Sequence, residues 1–136
     1  MGESGQEIEY FSLEDVCRIN RRIIEKFGGL FVPPLNLNNR GALEYIMAVV
    51  STPQVELGLY PTLTEKAAAL AYHIISRHVF LDGNKRTGIF VAWEFLRING
   101  LDIRLDSSVE DLVVNVASGR AGVRELEVWL RSNLRE

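Results

Sequence analysis

The sequence predicts an all-α domain, a compact arrangement of six helices with one short flap or hairpin. Three observations lead there. Apolar residues recur at helical spacing through nearly every segment, whereas β-type alternation is confined to Val55, Leu57 and Leu59. Helix-opening signals stand where the periodic segments begin: Ser12 with Glu14 and Asp15, Thr62 with Glu65, and Ser107 with Glu110. Glycines stand where they stop, at Gly28-Gly29, Gly100 and Gly119.

The first helix opens at Ser12 and buries a stripe of Leu13, Val16, Cys17, Ile23, Ile24 and Phe27. Asn20 falls inside that stripe and reads as a buried amide bonded to a neighbouring helix or loop. Residues 30–38, with Pro33-Pro34 and several asparagines, read as a loop. A short helix follows from about Asn39 to Val49. Residues 51–61 lose the helical period at Pro53 and Gly58 and carry the flap or hairpin. The helix opened by Thr62 is rich in alanine. Its phase puts Ala67, Leu70, Ala71, Ile74 and His78 on one face, so His78 is expected at the inward end. The next helix runs from Asn84 to Asn99 and is apolar nearly all round, which places it in the middle of the core. A helix from Ser107 to about Ser118 and a last one carrying Val123, Leu126, Trp129, Leu130 and Leu134 complete the six. The expected organisation is a flexible tail over residues 1–9 and a single domain over 10–136, built around two central helices.

Composition narrows the function. With 136 residues, 47% of them apolar, the chain can bury one core. A net charge of −3 argues against direct nucleic-acid binding. Cys17 is the sole cysteine, which excludes an internal disulfide and a Cys-based zinc site and fits a reducing, cytoplasmic setting. The first fifteen residues hold five acids and no Lys or Arg, the reverse of a secretory signal. No window of 18 residues is free of charge, so no membrane span is expected. His73, among small residues, reads as a satisfied, half-buried histidine.

The chemistry gathers in residues 78–88, His-Val-Phe-Leu-Asp-Gly-Asn-Lys-Arg-Thr-Gly. The chain leaves one helix near His78, turns at Leu81-Asp82-Gly83 and enters the next at Asn84. Backbone N–H groups of Gly83, Asn84, Lys85 and Arg86 lack intrahelical partners and converge on the turn. Gly83 permits close approach and a positive φ. Lys85 contributes a mobile point charge and Arg86 a planar two-pronged donor. This is a cradle for nucleotide phosphates. His78 is the candidate general base, histidine being the side chain that titrates near neutrality. Asp82 is placed to hold Mg²⁺ beside the phosphates, and Asn84 to orient a phosphate or the loop itself. Phe80 is expected to plug into the core.

Each residue also has a plain structural reading. His78 can serve as a helix C-cap, Asp82 as a cap of the following helix, and Lys85 and Arg86 as solvated charges. Two cations in a first helical turn oppose the helix dipole, however, and a bound anion gives that placement a reason. The run Gly83 to Gly88 mimics a P-loop, but Ile89-Phe90 stand where Lys and Ser/Thr are required.

These residues resemble the Fic/Doc family, specifically its Doc (death-on-curing) branch. The family motif His-x-Phe-x-Asp/Glu-Gly-Asn-Gly/Lys-Arg is matched by His78, Phe80, Asp82, Gly83, Asn84, Lys85 and Arg86. The likeness extends from about Tyr10 to Leu134 and includes Phe27-Gly28-Gly29, Leu59-Tyr60-Pro61 and Asn99-Gly100. It implies that His78 activates a protein hydroxyl, that Asp82 holds or orients Mg²⁺, and that Gly83, Asn84, Lys85 and Arg86 hold the phosphates of ATP. It implies a flap over residues 51–59 that docks a target segment by strand pairing. Lys85 replaces the glycine of AMP-transferring members and Ile89 replaces their terminal arginine. Both changes are shared with Doc, which is similar to a protein kinase acting on elongation factor Tu. Gly83, by contrast, follows the wider family, Doc having alanine there. The inhibitory pattern Ser/Thr-x-x-x-Glu-Gly/Asn is begun at Thr52 to Glu56 and broken at Leu57. The resemblance therefore implies a toxin-type kinase of a translation factor, restrained by a separate antitoxin. Protein AMP transfer is the alternative, and a non-catalytic binding module the more distant one.

Overall fold

A computed structural model describes residues 7–51 and 59–135. Among them are six helices: α1 (Leu13–Phe27), α2 (Arg40–Ser51), α3 (Leu63–Ser76), α4 (Asn84–Ile98), α5 (Ser108–Ala117) and α6 (Val123–Ser132). Extended pairing among the described residues is limited to two isolated antiparallel bridges, Leu37 with Phe80 and Ile103 with Leu134. The flap or hairpin expected over 51–61 and the inhibitory-pattern fragment at Thr52 to Glu56 fall mainly or wholly outside the described residues. So do residues 1–6 of the expected tail; at its end, Glu9 exchanges two backbone hydrogen bonds with the Asn99 side chain.

Local chemistry explains the helix starts. Ser12 Oγ accepts from Asp15 N–H while the Asp15 carboxylate accepts from Ser12 N–H, a reciprocal box. Thr62 and Glu65 repeat it at α3. Asn39 caps α2 by accepting from Ala42 N–H at 3.1 Å. The box expected at Ser107 does not form. Ser107 has helical φ and ψ, and Asp106 caps α5 instead by accepting from the backbone and hydroxyl of Ser108. A carboxylate one residue earlier thus replaces the hydroxyl cap.

The helix at the centre is α3, which packs against α2, α4, α5 and α6. Ala67, Ala68, Ala69 and Ala71 are fully buried, and short side chains let four neighbours close in. The sequence reading gave equal centrality to α4, yet Glu94, Arg97 and Ile98 keep one of its edges at the surface. Lys66 is buried within α3 because its ammonium reaches the Val50 carbonyl near the end of α2, at 2.9 Å. That bond satisfies a carbonyl which the helix itself leaves unpaired.

Helices α3 and α4 form the most extensive pairing, and Gly88 sets their separation. A Cβ there would lie 2.7 Å from Ile75 Cγ1 and 3.0 Å from the Ala71 carbonyl oxygen. Gly88→Ala should therefore destabilise the fold by about 1–2 kcal/mol, overpacking outweighing the better helix propensity of alanine. Urea unfolding measures the difference.

Candidate active site

The segment 77–86 is held at both ends by backbone geometry. Helix α3 ends at Ser76, with Arg77 as its C-cap, two residues before His78. His78 has φ +50 and is exposed. It does not lie at the inward end of the helix, as its phase suggests, because the chain reverses there. Val79 N–H reaches back to the Ile74 carbonyl at 3.3 Å, the six-to-one bond of a Schellman cap, and Val79 packs inward with Ile74. The inward place falls to Val79 and Phe80, both buried, while the imidazole is turned out. The left-handed position is one where glycine is usual. A histidine there carries backbone strain, of a kind that clusters at functional sites.

A second segment clamps this turn. The Val79 carbonyl accepts from Asn38 and Asn39 N–H, and the Asn38 side chain donates to the His78 carbonyl at 2.9 Å. Leu81 N–H donates to the Asn36 carbonyl at 2.9 Å. The stretch read from sequence as a plain loop is thus a backbone partner of the motif.

Beneath the turn lies a buried amide network. Asn20 and Thr87 are fully buried and Asn36 nearly so. The Asn20 amide nitrogen donates to the Asp82 carbonyl and to Thr87 Oγ1, each at 3.0 Å, and its oxygen accepts from the Asn36 side chain at 3.1 Å. Asn36 also donates to the Leu30 carbonyl and accepts from Val32 N–H. It adopts φ +59, a conformation that asparagine tolerates better than most residues.

The charged groups sit above this floor. The exposed Asp82 carboxylate accepts from Leu30 N–H through one oxygen and from Gly83 N–H through the other, both at 2.8 Å. These two backbone donors, first Leu30 and then Gly83, with Lys85 nearby, hold its pKa below the ordinary aspartate value. Gly29 makes room for it, since a Cβ there would stand 2.8 Å from Asp82 Oδ2. Gly83 opens α4 with φ +78, a conformation its lack of a side chain permits, but its N–H is taken by Asp82, so it is not available to a ligand. Helix geometry leaves the N–H groups of Asn84, Lys85 and Arg86. The Asn84 side chain both donates to the Phe80 carbonyl and accepts from Phe80 N–H, at 2.8 and 2.9 Å. Of its two expected uses, the amide therefore serves the loop. Lys85 and Arg86 are exposed, and the Arg86 guanidinium lies over the Phe27 ring, 4.4 Å from its centroid.

Comparison with known proteins assigns the chain to a family. A family model described as "Fic/DOC family" matches residues 10–96. The chain belongs to the Fic/DOC family. Similar proteins include Toxin Doc of Mycolicibacterium smegmatis, 38% identical over 116 residues, covering 81% of this chain and 82% of the relative. Protein kinase doc of Escherichia phage P1 is 27% identical over 127 residues, covering 91% and 94%. The Fic/DOC match spans α1 to most of α4, including the amide network and the whole His78–Arg86 motif.

The remaining residues divide cleanly. His73 is half-buried, its ring against Tyr45 and Tyr72 and its Nδ1 3.1 Å from the Ala69 carbonyl, and burial lowers its pKa. It takes no part in the site. Sequence reasoning missed Leu30, Asn36 and Thr87 and saw Gly29 only as a helix stop. Leu30 acts through its backbone, and no pattern in a single sequence marks that.

Asn20→Ala should cost about 2–4 kcal/mol, leaving buried partners on Asn36 and Thr87 unsatisfied. Amide exchange at Leu81 and Gly83 should accelerate at the same time, which hydrogen-exchange NMR would detect. His78→Gly should raise stability by about 0.5–1 kcal/mol, because relief of the left-handed strain exceeds the added chain entropy. Thermal melts of the two proteins provide the check.

Proposed function

We propose that the chain is a toxin-type protein kinase that transfers the γ-phosphate of ATP to a Ser or Thr hydroxyl on a translation factor. His78, exposed on a fixed turn, takes the proton of the incoming hydroxyl. The hydroxyl oxygen forms a bond to the γ-phosphorus, the bond to the bridging oxygen breaks, and ADP leaves. The N–H groups of Asn84, Lys85 and Arg86 and the two side-chain cations hold the phosphates, while Gly83 shapes the turn.

Asp82 fits a role toward Mg²⁺. Its carboxylate is exposed and kept ionised, and each oxygen retains a lone pair beyond its single backbone bond. Among the described residues no group of three or more His, Cys, Asp or Glu is gathered to hold a metal by itself. One carboxylate with phosphate oxygens and water is a common Mg²⁺ shell. The ion would neutralise charge on the phosphates.

The observation that carries the kinase reading is Lys85 together with Ile89. Lys85 stands exposed beside Asp82, where AMP-transferring members have glycine, and Ile89 is buried where they have arginine. The name of the phage relative, a protein kinase, supports the same choice, and that of the mycobacterial relative supports a toxin. A toxin of this kind calls for a cognate antitoxin and a cytoplasmic target, and residues 51–59 are the segment we assign to target docking. No helix among the described residues is long and apolar enough to cross a membrane. Gly83 favours the second reading, AMP transfer, because it follows the wider family.

Incubation with a lysate and either γ-labelled or α-labelled ATP separates the two. We expect label from the γ position on one host protein and none with His78→Ala. Label from the α position alone would replace the kinase reading by nucleotidyl transfer.

A further inference from the structure

Arg86 differs from five other arginines of the surface. Arg18, Arg21, Arg40, Arg97 and Arg131 each spend their guanidinium on a carboxylate three or four residues away. For Arg86 no ion pair is found among the described residues, and its partner is the Phe27 ring at 4.4 Å. The choice of partner has a chemical consequence. A carboxylate occupies the N–H edge of a guanidinium, the edge that a phosphate would need. An aromatic face attracts the flat side of the cation and leaves the N–H edge free.

The ring is itself well placed. Phe27 is the last residue of α1, and the Gly28 N–H donates to the Ile24 carbonyl at 2.8 Å, closing the helix just after it. Phe27 is 44% exposed, so core packing does not account for an aromatic residue there. Lys26 approaches the same ring, at 5.7 Å. The three residues that follow complete the arrangement: Gly29 leaves space for the Asp82 carboxylate, and Leu30 N–H binds it. One four-residue stretch at the end of α1 thus meets two of the three charged side chains at the α4 N-terminus, Asp82 and Arg86.

We propose that Phe27 is a positioning residue for Arg86, holding its guanidinium over α1 with the donor edge free for a phosphate oxygen. The segment Phe27-Gly28-Gly29-Leu30 is then a working part of the site, with Phe27 setting the cation and Gly29-Leu30 setting Asp82. This rests on the phosphate-binding role of Arg86 under the function proposed above. It holds equally for phosphoryl and nucleotidyl transfer, since both need the phosphates held.

The test is a double-substitution cycle read by calorimetry with Mg²⁺ and the non-hydrolysable β,γ-methylene analogue of ATP. The proteins are the wild type, Phe27→Leu, Phe27→Trp, Arg86→Ala and Phe27→Leu with Arg86→Ala. Phe27→Leu should weaken binding about two- to fivefold, the range for an exposed cation–π pair, and Phe27→Trp should retain wild-type affinity. Arg86→Ala should weaken binding about tenfold or more. In that background Phe27→Leu should make no further difference. Equal losses from Phe27→Leu with and without Arg86 would overturn the proposal by assigning Phe27 a general structural role, as would unchanged affinity in Phe27→Leu. Failure of the wild type to bind the analogue would instead strike the nucleotide reading on which the proposal stands.

Discussion

The site depends on one buried contact, the amide of Asn20 set between the motif turn and the α1–α2 loop. In water an amide is satisfied anywhere. Inside the fold it must find partners, and the cost of leaving it without them makes the arrangement specific. Asn20 has three, and they belong to three different parts of the chain: the Asp82 carbonyl, the Thr87 hydroxyl and the Asn36 side chain. Satisfying one side chain therefore fixes the floor of the turn, the first turns of α4 and the loop that supplies Leu30 to Asp82. The charged residues above this floor need little packing of their own. They are exposed and still held, because the backbone beneath them is held.

Much of this could be read from residue types and spacing. The helices follow from period and caps, and Gly83 left open the positive φ that it adopts. Asn20 stood out as an amide inside an apolar stripe. The errors have a common origin. Periodicity carried α3 through to His78, but periodicity describes a helix only while it continues, and the Schellman turn at His78 carried no glycine to mark it. Ser107 looked like a cap, but Asp106 offered a carboxylate one residue earlier. The partnership of residues 36–39 with 78–81 was invisible because it is made largely by backbone groups, which every residue carries.

The motif also shows how a polar site can be built at the edge of an apolar core without disturbing it. Val79 and Phe80 enter the core between His78 and Leu81, and Thr87 to Ile89 enter it just after Arg86. The chemistry-bearing residues are the ones left outside at each reversal. Phe80 pairs with Leu37 on one side, and on the other the Asn84 side chain takes up its backbone N–H and carbonyl.

The bonds that assemble the site are long in sequence. Leu30 to Asp82 spans 52 residues, Asn38 to His78 spans 40 and Asn20 to Thr87 spans 67. Closing such loops has an entropic cost that local helix formation does not bear. A chain still emerging from the ribosome can form α1 and α2 early, but it has no ordered motif turn until α4 is also free to fold. Synthesis and completion of the motif turn are thereby separated in time: its distant backbone partners are all in place only when most of the domain has been translated.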